Sequence, residues 1–199
     1  MPRDFRSLPL RDLLDDVAAA EPAPGSGAVA AIVVAHAAAL LAGAARASRD
    51  GWADAGGAVA QAAMLRTRAL ELAGDVSDAY VRALGVLDSP PGTTSDERDA
   101  AIAEALVRAA EVPLDIARAA ADTAALGSDI AERGSPATQG DVGAAVLLAE
   151  GAAYAAASLV GINLTAAPND PRIARAAALA EDATIAARRA LGDRWHSLH

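Results

Sequence analysis

Two residue types are missing from this 199-residue chain. It has no cysteine, which excludes disulfides, cysteine-ligated zinc, iron–sulfur clusters and thiol catalysis. It has no lysine either: all 17 basic residues are arginine, and Schiff-base chemistry is excluded with it. Large aromatic side chains are scarce, with two Trp, two Tyr and one Phe. Positive charge is also short, and the net charge of −9 disfavours global attraction to nucleic acid or an anionic membrane. A local arginine pair could still hold an anion. What is abundant is alanine, at 58 residues. With 53% apolar residues the chain is not disordered in general character. Its length fits one domain spanning residues 1–199, or one subunit of a compact oligomer. Packing must run through small side chains and closely approaching backbones.

Helical character is present in nearly every segment, and no alternating Val/Ile/Thr run suggests a sheet. Ser7 is positioned to cap a first helix with Pro9 in its first turn and Leu10, Leu13, Leu14 and Val17 on its apolar face. The loop Glu21-Pro-Ala-Pro-Gly-Ser-Gly27 stops it. Further helices are expected over about 28–49, 57–86, 96–112, 114–132, 142–164 and 172–191. Breaks fall at Asp50-Gly51, Asp88 to Gly92, Gly134 to Gly140 and Pro168 to Pro171, and Gly192 ends the last helix. Gly74 and Gly85 favour a kink in the third helix, and Pro113 marks a kink or a new start. Ser95 is the expected cap of the fourth helix, with no capping box because Arg98 stands three residues on. The expected fold is an all-α, antiparallel bundle of six or seven helices.

Two stretches, Gly27–Ala45 without a formal charge and Val142–Ala167 with Glu150 alone, approach the length of a membrane span. Their alanine and glycine supply little transfer energy, and a central bundle helix is also apolar all round. The soluble, cytoplasmic reading is therefore preferred, with no membrane and no nucleic-acid partner. Both helices cannot lie at the surface of so thin a subunit, so a homodimer is expected.

Four segments carry candidate chemistry. Gly25, Ser26 and Gly27 precede a long helix and could present N–H groups to an anion; a rigid turn permitting close helix crossing explains them equally. The loop is not a nucleotide motif, since it lacks lysine and no strand precedes it. Asp75 and Asp78 are three apart on one helix face, with Tyr80 beside them, and could orient a cation or raise one another's pKa; a solvated acidic edge is the plainer alternative. Asp141 stands either at a helix cap or at a site. Asn163, in an apolar run, needs a backbone carbonyl or a ligand as partner. Glu150 has the same need, and an arginine across the bundle would meet it. Arg46 and Arg49 end the second helix, where they either complement its dipole or clamp a carboxylate. His36 reads as a core or interface residue, Trp52 and Trp195 as packing anchors. With His196 and His199 in the tail, no histidine metal site is expected.

Taken together, these segments resemble the cyclodeaminase/cyclohydrolase family. Leu13 to Ala18 and Pro22 to Ala31 are similar to its opening, Leu-Leu-Asp-Asp-Val-Ala then Pro-x-Pro-Gly-Gly-Gly-Ser-Val-Ala-Ala, with Ser26 for the middle glycine and Ala28 for serine. Asp75 to Tyr80 resembles its Asp-x-x-Ala-Tyr element, Ala109 to Leu114 its Ala-x-x-x-Pro-Leu stretch, Gly140 to Ala145 its Ser-Asp-x-Gly-x-Ala segment, and Ser158 to Leu164 its Asn-x-x-Ile-Asn-Leu ending. The resemblance covers almost the whole chain. It implies a helical dimer acting on a tetrahydrofolate derivative, with no metal and no tightly bound cofactor. The reaction implied is hydrolysis of 5,10-methenyltetrahydrofolate, or ring closure of 5-formimidoyltetrahydrofolate with ammonia release. Asp78 and Asp141, then Asp75, become the expected acid/base groups. Gly25, Ser26, Gly27, Arg46, Arg49, Tyr80 and Asn163 become the expected substrate contacts.

The family pattern is broken at several positions. An asparagine of the second helix is replaced in the Ala45-Arg46 region, a Gly-Asn element around Arg133-Gly134-Ser135, and another asparagine at Ser158. With the hydrophobic frame kept, the alternative is a substrate-shifted or non-catalytic relative that binds a small molecule or serves a structural role.

Overall fold

The computed structural model describes residues 7–19, 25–87 and 94–192, with the side chains of 77–87 and of Arg108 outside the description. Among the described residues there are seven α helices and no strand: α1 (Leu10–Ala18), α2 (Ser26–Ala47), α3 (Ala55–Leu87), α4 (Ser95–Ala109), α5 (Glu111–Arg133), α6 (Gln139–Asn163) and α7 (Pro171–Leu191). The all-helical expectation holds, with boundaries close to those read from the sequence. α5 lies at the centre and packs against α2, α3, α6 and α7. α2 is flanked by α3 and α6, and α6 lies between α2 and α7. Neighbours run up and down because their connections are short.

Alanine provides 32 of the 45 buried apolar residues among those described, so the helices meet almost backbone to backbone. Two glycines set how close they come. A Cβ on Gly127 of α5 would overlap Val146 Cγ1 of α6 and lie 3.4 Å from Leu41 Cδ2 of α2. A Cβ on Gly27 of α2 would stand 2.7 Å from Val76 Cγ1 of α3 and 3.5 Å from Leu159 Cδ1 of α6. Valine is stiff at χ1, so neither contact relaxes by a simple rotation. The few large core residues, among them Leu41, Ile116, Ile130 and Leu164, are fully buried.

The helix ends differ from the expectations at four points. Pro9, not Ser7, occupies the N-cap position of α1. Thr94, not Ser95, caps α4 and forms a capping box: its N–H donates to Glu97 Oε2 at 3.0 Å and its Oγ1 accepts from the Glu97 N–H at 3.3 Å. The Thr94 N–H first, and then Thr94 Oγ1 donating to Glu97 Oε2 at 2.9 Å, hold the Glu97 carboxyl below its usual range. Asp141 is not a cap but sits in the first turn of α6, which the chain enters from a single 3-10 turn, Pro136–Thr138. The break between α4 and α5 falls at Ala110, three residues before Pro113, which occupies the first turn of α5 where its missing N–H costs nothing. Among the described residues Glu150 pairs with no arginine; it accepts from Thr184 Oγ1 at 2.7 Å. Gly192 ends α7 with φ +55°, the one positive φ among the described residues.

Two segments are long and apolar enough to cross a membrane, Ser26–Ala47 and Pro136–Asn163. Buried residues make up 61% of the apolar window in the first and only 39% in the second, so much of α6 remains uncovered.

The close approach at Gly127 gives a direct test. Gly127→Ala is expected to lower unfolding free energy by about 1–3 kcal/mol through overpacking. Gly57→Ala, where no neighbour lies within 4 Å, is expected to be neutral or to stabilise by up to about 1 kcal/mol. Urea denaturation of both variants checks the contrast, and Val146→Ala added to Gly127→Ala should recover part of the loss.

Candidate functional site

The helix contacts sort the candidate residues to two ends of the bundle. At one end, the start of α2 lies against α3 at Val76 and against α6 at Leu159. That brings exposed Gly25 and Ser26 and buried Gly27 beside exposed Asp75, with Asn163 one helical turn beyond Leu159. Asn163 is half-buried, and its Nδ2 donates to the Ala109 carbonyl at 3.4 Å, the backbone partner of the two alternatives read from the sequence. The side chains of Asp78 and Tyr80, one turn along α3, lie outside the described residues, as do residues 20–24 and Trp195, His196 and His199.

Arg46, Arg49 and Asp141 stand at the opposite end. Ser48 at the end of α2 donates to the Ala44 carbonyl and accepts from the Ser135 N–H, both at 2.8 Å. This bond ties α2 to the turn that leads into α6. Gln139 is anchored by donating to the Ala131 carbonyl at 2.9 Å. Leu41 and Val146 flank Gly127 from α2 and α6, which places exposed Arg46 level with exposed Asp141. Asp141 and Leu159 are eighteen residues apart on one helix, or about 27 Å. Asp75 and Asp141 therefore stand at opposite ends of a single chain, with α6 a rigid spacer between them.

His36 is exposed on α2, midway between the ends, with Nδ1 2.8 Å from the Ile32 carbonyl. Trp52 packs half-buried against the core. Among the described residues no group of three His, Asp or Glu side chains is placed to hold a metal.

Sequence reading missed one feature at the Gly27 end. Arg172, largely buried, joins three elements. Its Nε and Nη2 grip Asp170 at 2.9 and 2.7 Å, and its Nη1 reaches Glu111 Oε1 at 2.7 Å and the Val107 carbonyl at 2.9 Å. Asp170 also caps α7 by accepting from the Arg172 N–H at 2.9 Å. The side-chain bonds to Arg172 hold the Asp170 carboxyl down at about 2, and the same bonds raise the guanidinium further. Asp170-Pro171 was readable as a helix start, but Glu111 is sixty-one residues away and no local pattern announces it.

Residues 9–182 match the formiminotransferase-cyclodeaminase family model. The chain belongs to that family. Its fold is shared with the crystal structure of formiminotetrahydrofolate cyclodeaminase from Thermotoga maritima, with a TM-score of 0.80 and 25% identity over 94% of this chain and 96% of that one. No curated protein matches the chain. The resemblance read from the Gly25–Gly27, Asp75–Tyr80 and Gly140–Ala145 segments thus stands.

The Asp170 clamp makes a pH prediction. Its folded value of about 2 lies below the ordinary 3.8, so its stabilisation is fully present above about pH 4 and is lost as pH falls through the folded value. Asp170→Asn keeps a competent cap but not the ion pair. The melting temperature of wild type should exceed that of the variant at neutral pH, and the gap should close toward pH 2.

Proposed function

We propose that this protein is a cytoplasmic, homodimeric folate one-carbon enzyme, hydrolysing 5,10-methenyltetrahydrofolate or closing 5-formimidoyltetrahydrofolate with loss of ammonia. The observation that carries this reading is the family match over residues 9–182, joined to a fold shared along nearly the full length of a formiminotetrahydrofolate cyclodeaminase. The site residues support it. The methenyl carbon is part of a delocalised amidinium cation, and a carboxylate beside it stabilises that charge. Water adds to this carbon, and one ring C–N bond then breaks as its nitrogen takes a proton. The cyclodeaminase reaction passes through a related tetrahedral carbon: a folate nitrogen adds, and the protonated amine leaves. Both reactions need a carboxyl able to hold and return one proton. Asp78 and Asp141 are the first candidates, and Asp75 is the third. Gly25, Ser26, Gly27, Tyr80 and Asn163 are assigned to substrate contact, and Arg46 or Arg49 to the anionic tail of the folate. The tetrahydrofolate derivative enters as substrate, and no tightly bound cofactor is needed.

Decay of methenyltetrahydrofolate absorbance should be accelerated over buffer by the purified protein, and formimidoyltetrahydrofolate should be tested alongside it. Asp78→Asn should lower kcat by about 10²–10⁴-fold, the span of a general acid or base, with the circular dichroism spectrum unchanged. Wild-type protein inert toward both compounds would leave the substrate-shifted or non-catalytic relative.

A further inference from the structure

The backbone ladder is interrupted where α4 meets α5. Ala110 N–H donates to the Leu106 carbonyl at 3.1 Å, and Leu114 N–H to the Ala110 carbonyl at 3.2 Å. Between them, Pro113 has no N–H for the Ala109 carbonyl four residues earlier, and its ring crowds that oxygen. Side chains from two other helices reach the carbonyls of this turn. Asn163 Nδ2, from the end of α6, donates to Ala109 at 3.4 Å, and Arg172 Nη1, from the start of α7, donates to Val107 at 2.9 Å. Asp170 holds Arg172 by two nitrogens, and the guanidinium reaches Glu111 across the break at 2.7 Å. One side chain thus grips both the last turn of α4 and the first residue of α5.

The pivot is buried and the arm is not. Ala110 is fully buried and clusters with Leu114, Val160, Leu164 and Ala176, with Val107 packed against them. In α4 itself Ala105 alone is buried among the described side chains, and residues 95–100 are all exposed. Apolar burial therefore does little to fix where α4 lies. Its main neighbour is α3. Arg68 of α3 lies 3.8 Å from Asp115 of α5, and the six residues back to Ala109 set the joint about 9 Å further along, level with Asp75. The α6 side gives the same level. Leu159 stands against Gly27, which stands against Val76, and Asn163 is one turn beyond. From this joint α4 runs back along α3 from Asp75 toward Leu87, beside the candidate acidic segment.

We infer that Arg172 is a positioning residue: by gripping the hinge that Pro113 creates, it holds α4 as one wall of the candidate site. The role at the site rests on the proposed folate reading; the hinge and its grip do not. Asp75 and Asp78 stay on α3 whichever way α4 lies, so Arg172 governs how firmly the substrate is held and not the proton transfer itself. Asn163 assists from the other side of the joint. Donation to Ala109 uses one of its two Nδ2 hydrogens and leaves Oδ1 for the substrate contact assigned to it.

Amide hydrogen exchange of the full chain reads the hinge without substrate. Arg172→Gln should speed exchange in α4 by about 10- to 100-fold, the loss of charge-assisted hydrogen bonds, with α2 and α6 unchanged. The α7 cap survives, because Asp170 accepts it from the Arg172 backbone N–H. Pro113→Ala supplies the missing donor to Ala109, so Arg172→Gln should have little effect on α4 in that background. Arg172→Lys, which cannot meet three partners at once, should fall between, and it serves if the glutamine variant does not fold. Equal acceleration in every helix, unchanged exchange in α4, or an undiminished Arg172→Gln effect beside Pro113→Ala would overturn the hinge. Once turnover of either folate compound is found, Arg172→Gln should raise KM by about 10-fold with kcat held within about two-fold. A fall in kcat at constant KM, as from a partly unfolded enzyme, would overturn the positioning role. Wild-type protein inert toward both compounds would overturn the folate reading and the role at the site with it, while the exchange result still decides the hinge.

Discussion

Close approach of helix backbones is the constraint on which this structure depends. A core built mostly of alanine gains little per residue from burial, so it holds only if many small contacts are made at once. Gly27 and Gly127 permit those contacts, because any side chain there would push α2 from α3 or α5 from α6. The same closeness brings functional segments together. The glycine entrance to α2 reaches the Asp75 segment because Gly27 has no Cβ to hold Val76 away. The segment that reads in sequence as either an anion-binding loop or a close-crossing turn is a packing device in the structure.

Polar groups are spent sparingly in this bundle, and mostly on tying ends together. Ser48 holds the last turn of α2 to the turn before α6. Arg172 holds α4, α5 and the entry to α7. Such ties matter more in an alanine core than in one filled by leucine and phenylalanine, since small side chains alone resist sliding poorly. The bidentate grip on Asp170 is largely buried and charge-assisted, which gives it a fixed geometry that a surface pair would lack.

The rigid length of α6 shapes the functional argument. One straight helix carries Asp141 at one end and Asn163 at the other, so no rearrangement of a single subunit brings them together without breaking the helix.

Helix class, helix boundaries within a few residues, the glycine entrance, the acidic segment and the family were all legible in the order of residues. Each rests on local periodicity, on loop composition or on short spacings, which need no knowledge of neighbours. The caps were less legible: Thr94 and Glu97 form the box that Ser95 and Arg98 do not, a shift of one residue that only backbone geometry decides. Glu150 met a threonine and not an arginine, because its helix face is set by packing against α7. Which candidates share an end of the bundle was not legible at all. Asp75 with Gly27, Arg46 with Asp141, and Arg172 with Glu111 are pairings across long stretches of chain, and they arise only when helices of fixed length are laid antiparallel at distances chosen by alanine and glycine.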